Sequence, residues 1–224
     1  MSDRPHAEQL WHACFAATCA PGWTLERLSA EAYWEAHERV MRPHFPPEAY
    51  FDLSLVRDPA RTTARAARLA NAPPPPLRDH AVLRAGDEVV AMFAGDESMP
   101  SSYRMQHSNV HPGFRRRGVY RSIIAATIDY TARLGYDGIV SDHAPGNNAV
   151  IIAKLRAGFR IVGIEIDAAS GPSLILRYFH EPEHLAAYQL RCGLATLTPA
   201  LVDAGAGAFP TLRAQFASDR PDRG

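Results

Sequence analysis

The chain has no net charge, few cysteines and no long apolar run, and each of these features excludes a class of protein. Its 224 residues include 24 basic and 24 acidic side chains, so no overall electric field attracts nucleic acid or an anionic membrane. The three cysteines, Cys14, Cys19 and Cys192, lack metal-ligand spacing and favour a reducing compartment over a disulfide framework. No apolar run approaches the roughly 20 residues that span a bilayer, and the N-terminus lacks the apolar core of a signal peptide. We therefore expect a cytoplasmic protein without nucleic-acid, membrane or metal partners.

The order of the apolar patterns predicts an α/β fold with a mixed, mostly antiparallel central sheet and helices on both faces. Predicted strands lie at 23–28, 80–84, 88–95, 102–110, 137–142, 159–167 and 173–180, and predicted helices lie within 1–20, 29–43, 58–71, 117–134, 147–157 and 182–193. The prolines at 73–76 indicate a stiff polyproline spacer. We expect one domain at 1–180, with a helical part at 1–78 and a core at 79–180, followed at 181–224 by a helix and a loose tail.

The stretch from Asn109 to Tyr120 reads N-V-H-P-G-F-R-R-R-G-V-Y and joins a predicted strand to a predicted helix. Pro112 and Gly113 end the strand, three arginines follow, and Gly118 has no Cβ, so a ligand can approach the backbone closely. Free N–H groups in the first turn of a helix, beside arginines, suit a phosphate or pyrophosphate. The pattern therefore predicts an anion site. The alternative interpretation is a solvated charged loop that only joins the two elements.

Two motifs resemble those of the GNAT superfamily of N-acetyltransferases. Residues 115–120, R-R-R-G-V-Y, resemble the family's (Q/R)-x-x-G-x-(G/A) loop, which holds the pyrophosphate of acetyl-CoA, and V-H-P at 110–112 resembles the V-x-P that ends its fourth strand. Tyr120 departs from the pattern, because the family usually has Gly or Ala there. Residues 147–159 resemble the family's later N-x-x-A…G-F segment. The resemblance covers residues 80–180 and implies a GNAT-like α/β fold with extra N-terminal helices and a C-terminal extension.

By this resemblance the chain would bind acetyl-CoA as co-substrate, without a metal, and transfer acetyl to the primary amine of a small molecule by direct attack in a ternary complex. The implied cofactor-binding residues are Asn109, Val110, His111, Arg115, Arg116, Arg117, Gly118, Val119, Tyr120, Asn147 and Lys154. A backbone N–H group between Asn109 and His111 would polarise the thioester carbonyl. The helical N-terminal part would shape the acceptor pocket with Trp34, His37, Phe45 and Tyr50. The aromatic stripe that contains the first two is also typical of a buried helix face.

The base is harder to assign, because the predicted strand at 102–110 has no carboxylate where the family often places a glutamate. His143, at the end of the next predicted strand, is the better placed candidate. His107 is a second candidate, unless it faces the hydrophobic layer. Strand alternation places Gln106 and Ser108 together on the opposite face from His107, unless a bulge changes their direction.

The proton donor for the leaving thiolate is also open. Many relatives have a tyrosine in the helix before G-F, and Lys154 stands at that position. Its amine would act as an acid only with a strongly lowered pKa, so we expect it to point to phosphate or solvent. Tyr120, Tyr103 and Tyr33 are substitutes, and water can also serve. The candidates for catalysis are therefore His143, Gln106, Ser108 and Tyr120.

Other functions stay open at this point. A non-catalytic acyl-CoA-binding module, acting as a sensor or assembly partner, would keep the loop and lack the base. A CoA-dependent enzyme of different chemistry could use the same scaffold. A protein or peptide amine is an alternative acceptor, whereas zero net charge disfavours polycationic acceptors. Apolar residues between Leu190 and Leu201 leave a homodimer open.

Overall fold

The computed structural model describes residues 4–44, 58–70, 77–99, 101–168 and 170–194. The chain divides into two compact units, Met1–Tyr178 and Phe179–Gly224. The strands are β1 (Trp23–Arg27), β2 (Arg78–Ala85), β3 (Glu88–Met99), β4 (Ser102–Val110), β5 (Gly138–His143), β6 (Arg160–Asp167) and β7 (Gly171–Phe179). The helices are α1 (Arg4–Phe15), α2 (Ala30–Val40), α3 (Pro59–Ala70), α4 (Val119–Arg133), α5 (Asn148–Arg156) and α6 (Pro182–Arg191).

The strands form one seven-stranded sheet in the order β1-β2-β3-β4-β5-β7-β6. The pairs β1–β2, β2–β3, β3–β4 and β6–β7 are antiparallel, and β4–β5 is parallel. The parallel pair is possible because α4 carries the chain back across the sheet between these two strands. The predicted mixed, mostly antiparallel sheet is therefore confirmed.

Each face of the sheet carries an apolar layer, because the side chains along a strand alternate between the two faces. In β2, Ala81 and Leu83 belong to the larger core cluster, whereas Val82 belongs to the smaller one. The smaller cluster joins the sheet to α2 and consists of Tyr33, Ala36, Met41, Val82, Val89, Met92 and Ala94. The larger cluster joins the other face to α1, α4 and α5. The prediction of helices on both faces is confirmed.

Local signals explain where several helices begin. The Ser29 hydroxyl accepts a hydrogen bond from the backbone N–H of Ala32 at 3.1 Å, which caps α2. Pro59 and Pro182 open α3 and α6, where their missing N–H is not needed. Gly118, with a φ of 83°, precedes α4, which begins two residues later than predicted. The predicted polyproline spacer and the predicted tail from residue 196 lie outside the described residues.

The second unit is described from Phe179 to Leu194. Its helix α6 ends at Arg191, and the rings of Phe179 and Tyr188 lie 5.3 Å apart. Across the described ranges, no helix has both the length and the apolar character needed to cross a membrane. The functional division between residues 1–78 and 79–180 stays a prediction.

Candidate functional site

The strands β4 and β5 lie side by side for only part of their length. In the described chain they pair at three positions, the last of which joins Arg104 to Val140. Since β4 continues to Val110 and β5 to His143, the two strands are unpaired beyond that point. We call this opening the fork; its sides are residues 105–110 of β4 and 141–143 of β5. Backbone polar groups that face the fork lack the partners that a paired strand would supply, so a ligand can bind them.

A β-bulge in β4 determines which side chains face each side of the sheet. Two consecutive residues of β3 pair with His107 and Met105, so Gln106 is an extra residue on β4. Met105 lies in the larger core cluster with α4. His107 instead lies against α2, where its Nδ1 is 3.0 Å from the hydroxyl of Tyr33. In an unbroken strand these two residues would share a face.

The backbone of β4 presents an N–H group to the fork. The N–H of His111 donates to the carbonyl of Val90 at 3.0 Å. Hydrogen-bonded and non-bonded pairs alternate along antiparallel strands, so the N–H of Val110 points away from β3 and toward the fork. The amide of His111 is thus engaged, and Val110 is the better donor within the predicted stretch. The carbonyl of Val110 accepts from Nε of Arg115 at 3.2 Å, which ties the loop to the strand.

The loop between β4 and α4 carries a row of N–H groups without acceptors. It reaches α4 through Arg116, with a φ of 63°, and Gly118, with a φ of 83°. Within the described ranges, the backbone N–H groups of residues 116–121 have no hydrogen-bond partner. Left-handed residues in a turn direct successive N–H groups to one side, and the helix dipole adds positive potential there. The side chains of residues 115–117 are exposed beside this row, so the loop has the chemistry of an anion site.

The two residues after Gly118 contribute mainly packing. The side chain of Val119 is buried in the larger core cluster, and Tyr120 packs against it. Burial raises the pKa of the Tyr120 phenol, so it stays protonated at neutral pH. A tyrosine at this position therefore adds to the core and leaves its backbone N–H in the row.

Lys154 lies in the core at the closed end of the fork. Its side chain is 0% exposed. Its Nζ donates to the Ser141 hydroxyl at 2.5 Å and to the Met105 sulfur at 3.5 Å, and it lies 4.9 Å from the ring centroid of Phe159. Burial lowers the pKa of Lys154 from 10.5 to about 7, against a smaller opposing effect of Asp142. The expectation that this amine points to phosphate or solvent is wrong, because the side of α5 that carries Lys154 packs against the sheet.

Two buried polar atoms at the fork, the Ser108 hydroxyl and Nε2 of His143, have no hydrogen-bond partner among the described residues. Gln106, which was expected to share a face with Ser108, is exposed. Burial and then the nearby Lys154 lower the pKa of His143 to about 4, so its imidazole is neutral at pH 7 and is a weak base. Unpartnered buried polar groups are unusual and indicate where a ligand or water completes the structure.

The opposite face of β4 carries a cluster of aromatic rings and histidines. The rings of His37 and His107 lie 4.4 Å apart, and Nδ2 of Asn109 lies 2.8 Å from Nε2 of His107. Burial lowers the pKa of both histidines, that of His107 to about 4. Tyr33 and His37 are buried, as a core stripe would be, whereas Trp34 is 37% exposed. The rings of this cluster are therefore uncharged at neutral pH, and Glu38 lies at its edge, 3.7 Å from Nδ1 of His37.

Other predicted site residues are exposed or lie outside the described residues. Asn147 is the exposed residue that precedes α5. Phe45 and Tyr50, predicted for the acceptor pocket, lie outside the described residues. Within the described part of the chain, no group of three or more His, Cys, Asp or Glu side chains could hold a metal ion. A cleft of about 350 Å³ lies between α2 and the β2–β3 hairpin, with His111 and Phe114 in its wall.

No family model and no curated protein matches the chain. Among solved structures, it is similar to the GCN5-related N-acetyltransferase from Kribbella flavida, with a TM-score of 0.50 and 19% identity over 70% of this chain and 98% of that one. It is also similar to Ard1 from Thermoplasma volcanium, with a TM-score of 0.50 and 14% identity over 70% of this chain and 97% of that one. The chain has the GNAT fold. The predicted GNAT-like architecture is thereby confirmed, while the chemistry must be argued from this chain's own residues.

Sequence reasoning missed two features of the fork in this GNAT fold. Arg104 and Asp142 form an ion pair at 2.8 Å close to the point where the strands separate. Ser141, buried on β5, bonds Lys154. No local signal identifies these contacts, because they depend on the register between two strands that are separated by a helix in the sequence.

Proposed function

We propose that the chain is an acetyl-CoA-dependent N-acetyltransferase that acts on the primary amine of a small molecule. The observation that carries this proposal is the row of unpaired N–H groups at 116–121, which lies one turn beyond an open fork between β4 and β5. A cofactor with a pyrophosphate and a long thioester arm needs both features. The loop suits the pyrophosphate, and the fork suits the arm, whose amides can pair with the strand backbone.

In this proposal the cofactor lies along the end of β4 and the start of α4. The residues that contact it are Asn109, Val110, His111, Arg115, Arg116, Arg117, Gly118, Val119 and Tyr120, with Asn147 close to the arm. Val110 is the central contact, because its N–H faces the fork while its carbonyl is already bonded to Arg115. Its N–H can therefore donate to the arm or to the thioester carbonyl.

The reaction is a direct attack. The amine nitrogen attacks the thioester carbon, the Val110 N–H stabilises the negative oxygen that forms, and the C–S bond then breaks with its electron pair on sulfur. The amine must also lose a proton. His143 and His107 both have a pKa of about 4 and are weak bases at neutral pH, so the reaction relies largely on the fraction of amine that solvent has already deprotonated.

The acceptor reaches the thioester from the α2 side of β4. There the neutral histidines, Asn109 and the exposed ring of Trp34 offer an aromatic surface with few charges. Such a surface suits a small amine attached to an apolar or planar group better than a polycation. Phe45 and Tyr50 stay proposed members of this pocket, and Gln106 and Ser108 stay proposed as polar groups near the reacting atoms.

A non-catalytic acyl-CoA-binding module is the second candidate. The observation that favours it is the weak basicity of both histidines near the fork, together with the absence of a carboxylate on β4. A protein amine as acceptor is a variant of the first candidate.

An assay of CoA release separates these functions. Acetyl-CoA is offered with a panel of primary amines at about pH 7 and about pH 9, and the proposal predicts amine-dependent release that rises up to roughly 100-fold with the neutral fraction of the amine. Gly118→Glu should abolish release. Gly135→Glu is the matched control, because Gly135 follows the other end of α4 with a φ of 82° and open space around it. Acetyl-CoA binding without release at either pH would favour the module, and the absence of both would contradict both candidates.

A further inference from the structure

The cleft between α2 and the β2–β3 hairpin has no role in the proposed reaction. Its volume of about 350 Å³ lies within the roughly 300–1,000 Å³ of small-ligand sites. Among the described residues, its lining includes no member of the fork and none of the row of N–H groups at 116–121. It adjoins the loop between β4 and α4 only through His111 and Phe114. The cleft is therefore a separate candidate site beside this loop.

A second β-bulge shapes the hairpin side of the cleft. Two consecutive residues of β2, Leu83 and Arg84, pair with Ala91 and Val89 of β3. Val90 is therefore an extra residue on β3. Val89 belongs to the smaller core cluster, which faces α2, whereas Val90 belongs to the larger one. The bulge thus directs Val89 and its partner Arg84 toward α2, where both line the cleft.

The floor of the cleft is apolar. Ala36 and Val89 are buried members of the smaller core cluster, and Val40 packs against it. Phe114 adds its ring to the lining, and this ring lies edge-on against Trp23 with the centroids 5.9 Å apart. Such a floor suits an apolar group of a ligand, because binding removes apolar surface from water on both sides.

The rim of the cleft carries both signs of charge. Asp87 and Glu88 contribute carboxylates from the hairpin, and among the described residues neither forms an ion pair. Arg39 and Arg84 each form one ion pair, with a glutamate at 3.4 Å, which leaves other N–H donors of each guanidinium available. A ligand with an ammonium and a carboxylate can pair with both signs, whereas a ligand with one charge leaves the other sign unmatched.

We propose that this cleft binds a free α-amino acid with an apolar side chain. The ammonium of the ligand pairs with the carboxylates of the hairpin, its carboxylate pairs with the guanidiniums, and its side chain packs on the floor. An α-amino acid carries these three groups on one carbon atom. A molecule small enough for the cleft can therefore contact both signs of charge and the apolar floor together.

The occupant of the cleft also stabilises the loop between β4 and α4. Nδ1 of His111 accepts a hydrogen bond from the N–H of Gly113 at 3.3 Å, and the guanidinium of Arg117 lies 5.2 Å from the ring centroid of Phe114. Nε2 of His111 lies 3.1 Å from Nε2 of His44, which follows α2. A ligand in the cleft thus favours the loop conformation that presents the row of N–H groups, and it tightens the binding of acetyl-CoA. This second part of the inference rests on the proposed function.

Methyl NMR spectra of the wild type, titrated with L-leucine in the absence of acetyl-CoA, test the site. We expect the methyl signals of Val40 and Val89 to shift with a dissociation constant of about 1 mM or below. Leucinamide lacks the negative charge and N-acetyl-leucine lacks the positive one, so each should bind at least about 10-fold more weakly. Equal binding of either analogue, or no shift at about 10 mM leucine, would overturn the proposed amino-acid site.

Variants of the rim give a second readout. Glu88→Gln and Arg39→Gln each remove one charge and should weaken leucine binding by about 10-fold. Glu8→Gln on α1 and Arg61→Gln on α3 are the matched controls, because both residues are exposed and neither lines the cleft. Equal leucine binding by the rim variants and the controls would contradict recognition by charge.

Calorimetric titration of acetyl-CoA with and without saturating leucine tests the coupling. We expect leucine to tighten the binding of acetyl-CoA by about 5-fold, and Glu88→Gln to need more leucine for the same effect. An unchanged affinity would overturn the coupling and leave the amino-acid site intact. If acetyl-CoA does not bind at all, the proposed function fails and the coupling fails with it, whereas the leucine titration still decides whether the cleft is a site.

Discussion

Two charged side chains, Asp79 of β2 and Lys154 of α5, are both 0% exposed in the same unit, yet their surroundings differ. Asp79 forms an ion pair with Arg27 and accepts hydrogen bonds from the hydroxyls of Tyr103 at 2.8 Å and Tyr130 at 3.2 Å. Nζ of Lys154 contacts a hydroxyl, a thioether and the ring of Phe159, and among the described residues no carboxylate forms an ion pair with it. The buried carboxylate thus has a counter-charge in contact, whereas the buried ammonium does not.

This difference separates a part of the sheet that stabilises the fold, around Asp79, from a part that can bind a ligand, around the fork. Asp79 links β1, β2, β4 and α4, and the packing around it is tight: a Cβ on Gly95 would lie 2.3 Å from the hydroxyl of Tyr103. Tyr103, named from sequence as a substitute proton donor, is engaged by this carboxylate. At the fork the strands part and polar atoms stay unpartnered. A site whose buried polar groups all have hydrogen-bond partners stabilises the fold. A site where some of these groups lack partners is where a ligand or water can bind.

The largest expected effect is the loss of the Asp79 network. Asp79→Ala removes the acceptor for one guanidinium and two buried hydroxyls, and breaking such a buried pair costs about 3–5 kcal/mol in the free energy of unfolding. Urea denaturation measures this cost. Glu35→Ala is the control, because it breaks an exposed ion pair with Arg39 on α2, and we expect no measurable change in the urea midpoint. Equal effects of the two substitutions would mean that Asp79 is not the structural centre described here.

At Lys154 we expect the substitution to change how the free energy of unfolding depends on pH. Because its pKa is lowered in the folded state from 10.5 to about 7, its contribution to stability is fully present above about pH 10.5 and is lost as the pH falls through about 7. Lys154→Met keeps similar volume without the charge. Between about pH 6 and pH 9, the wild type should gain roughly 3 kcal/mol relative to this variant. Urea denaturation across this pH range measures the difference, and parallel stability curves would contradict the lowered pKa.

Elements with local signals were predictable from the sequence. Apolar runs and apolar–polar alternation located the strands, Ser29 and Pro182 located helix starts, and Pro112 and Gly113 located the end of β4. These signals act within a few residues of the positions they determine. The loop at 115–118 was predictable for the same reason, since its glycine and its arginines are contiguous, and its binding of an anion stays a prediction.

Features that depend on pairing between distant segments were not predictable. The bulge at Gln106 exists only in register with β3, and it separates the directions of Met105 and His107. The inward direction of Lys154 depends on how α5 packs on the sheet, so the sequence alone suggested phosphate or solvent. The homodimer and the cytoplasmic location stay predictions.

The central claim is that the loop at residues 116–121 and the fork between β4 and β5, where polar groups lack hydrogen-bond partners, bind acetyl-CoA. Calorimetric titration of acetyl-CoA into the wild type, Gly118→Glu and Gly135→Glu tests it most directly. We predict binding in the micromolar range for the wild type and for Gly135→Glu, and no binding for Gly118→Glu, whose side chain would enter the row of N–H groups with a negative charge. Equal binding by all three proteins, or no binding by the wild type, would contradict the account.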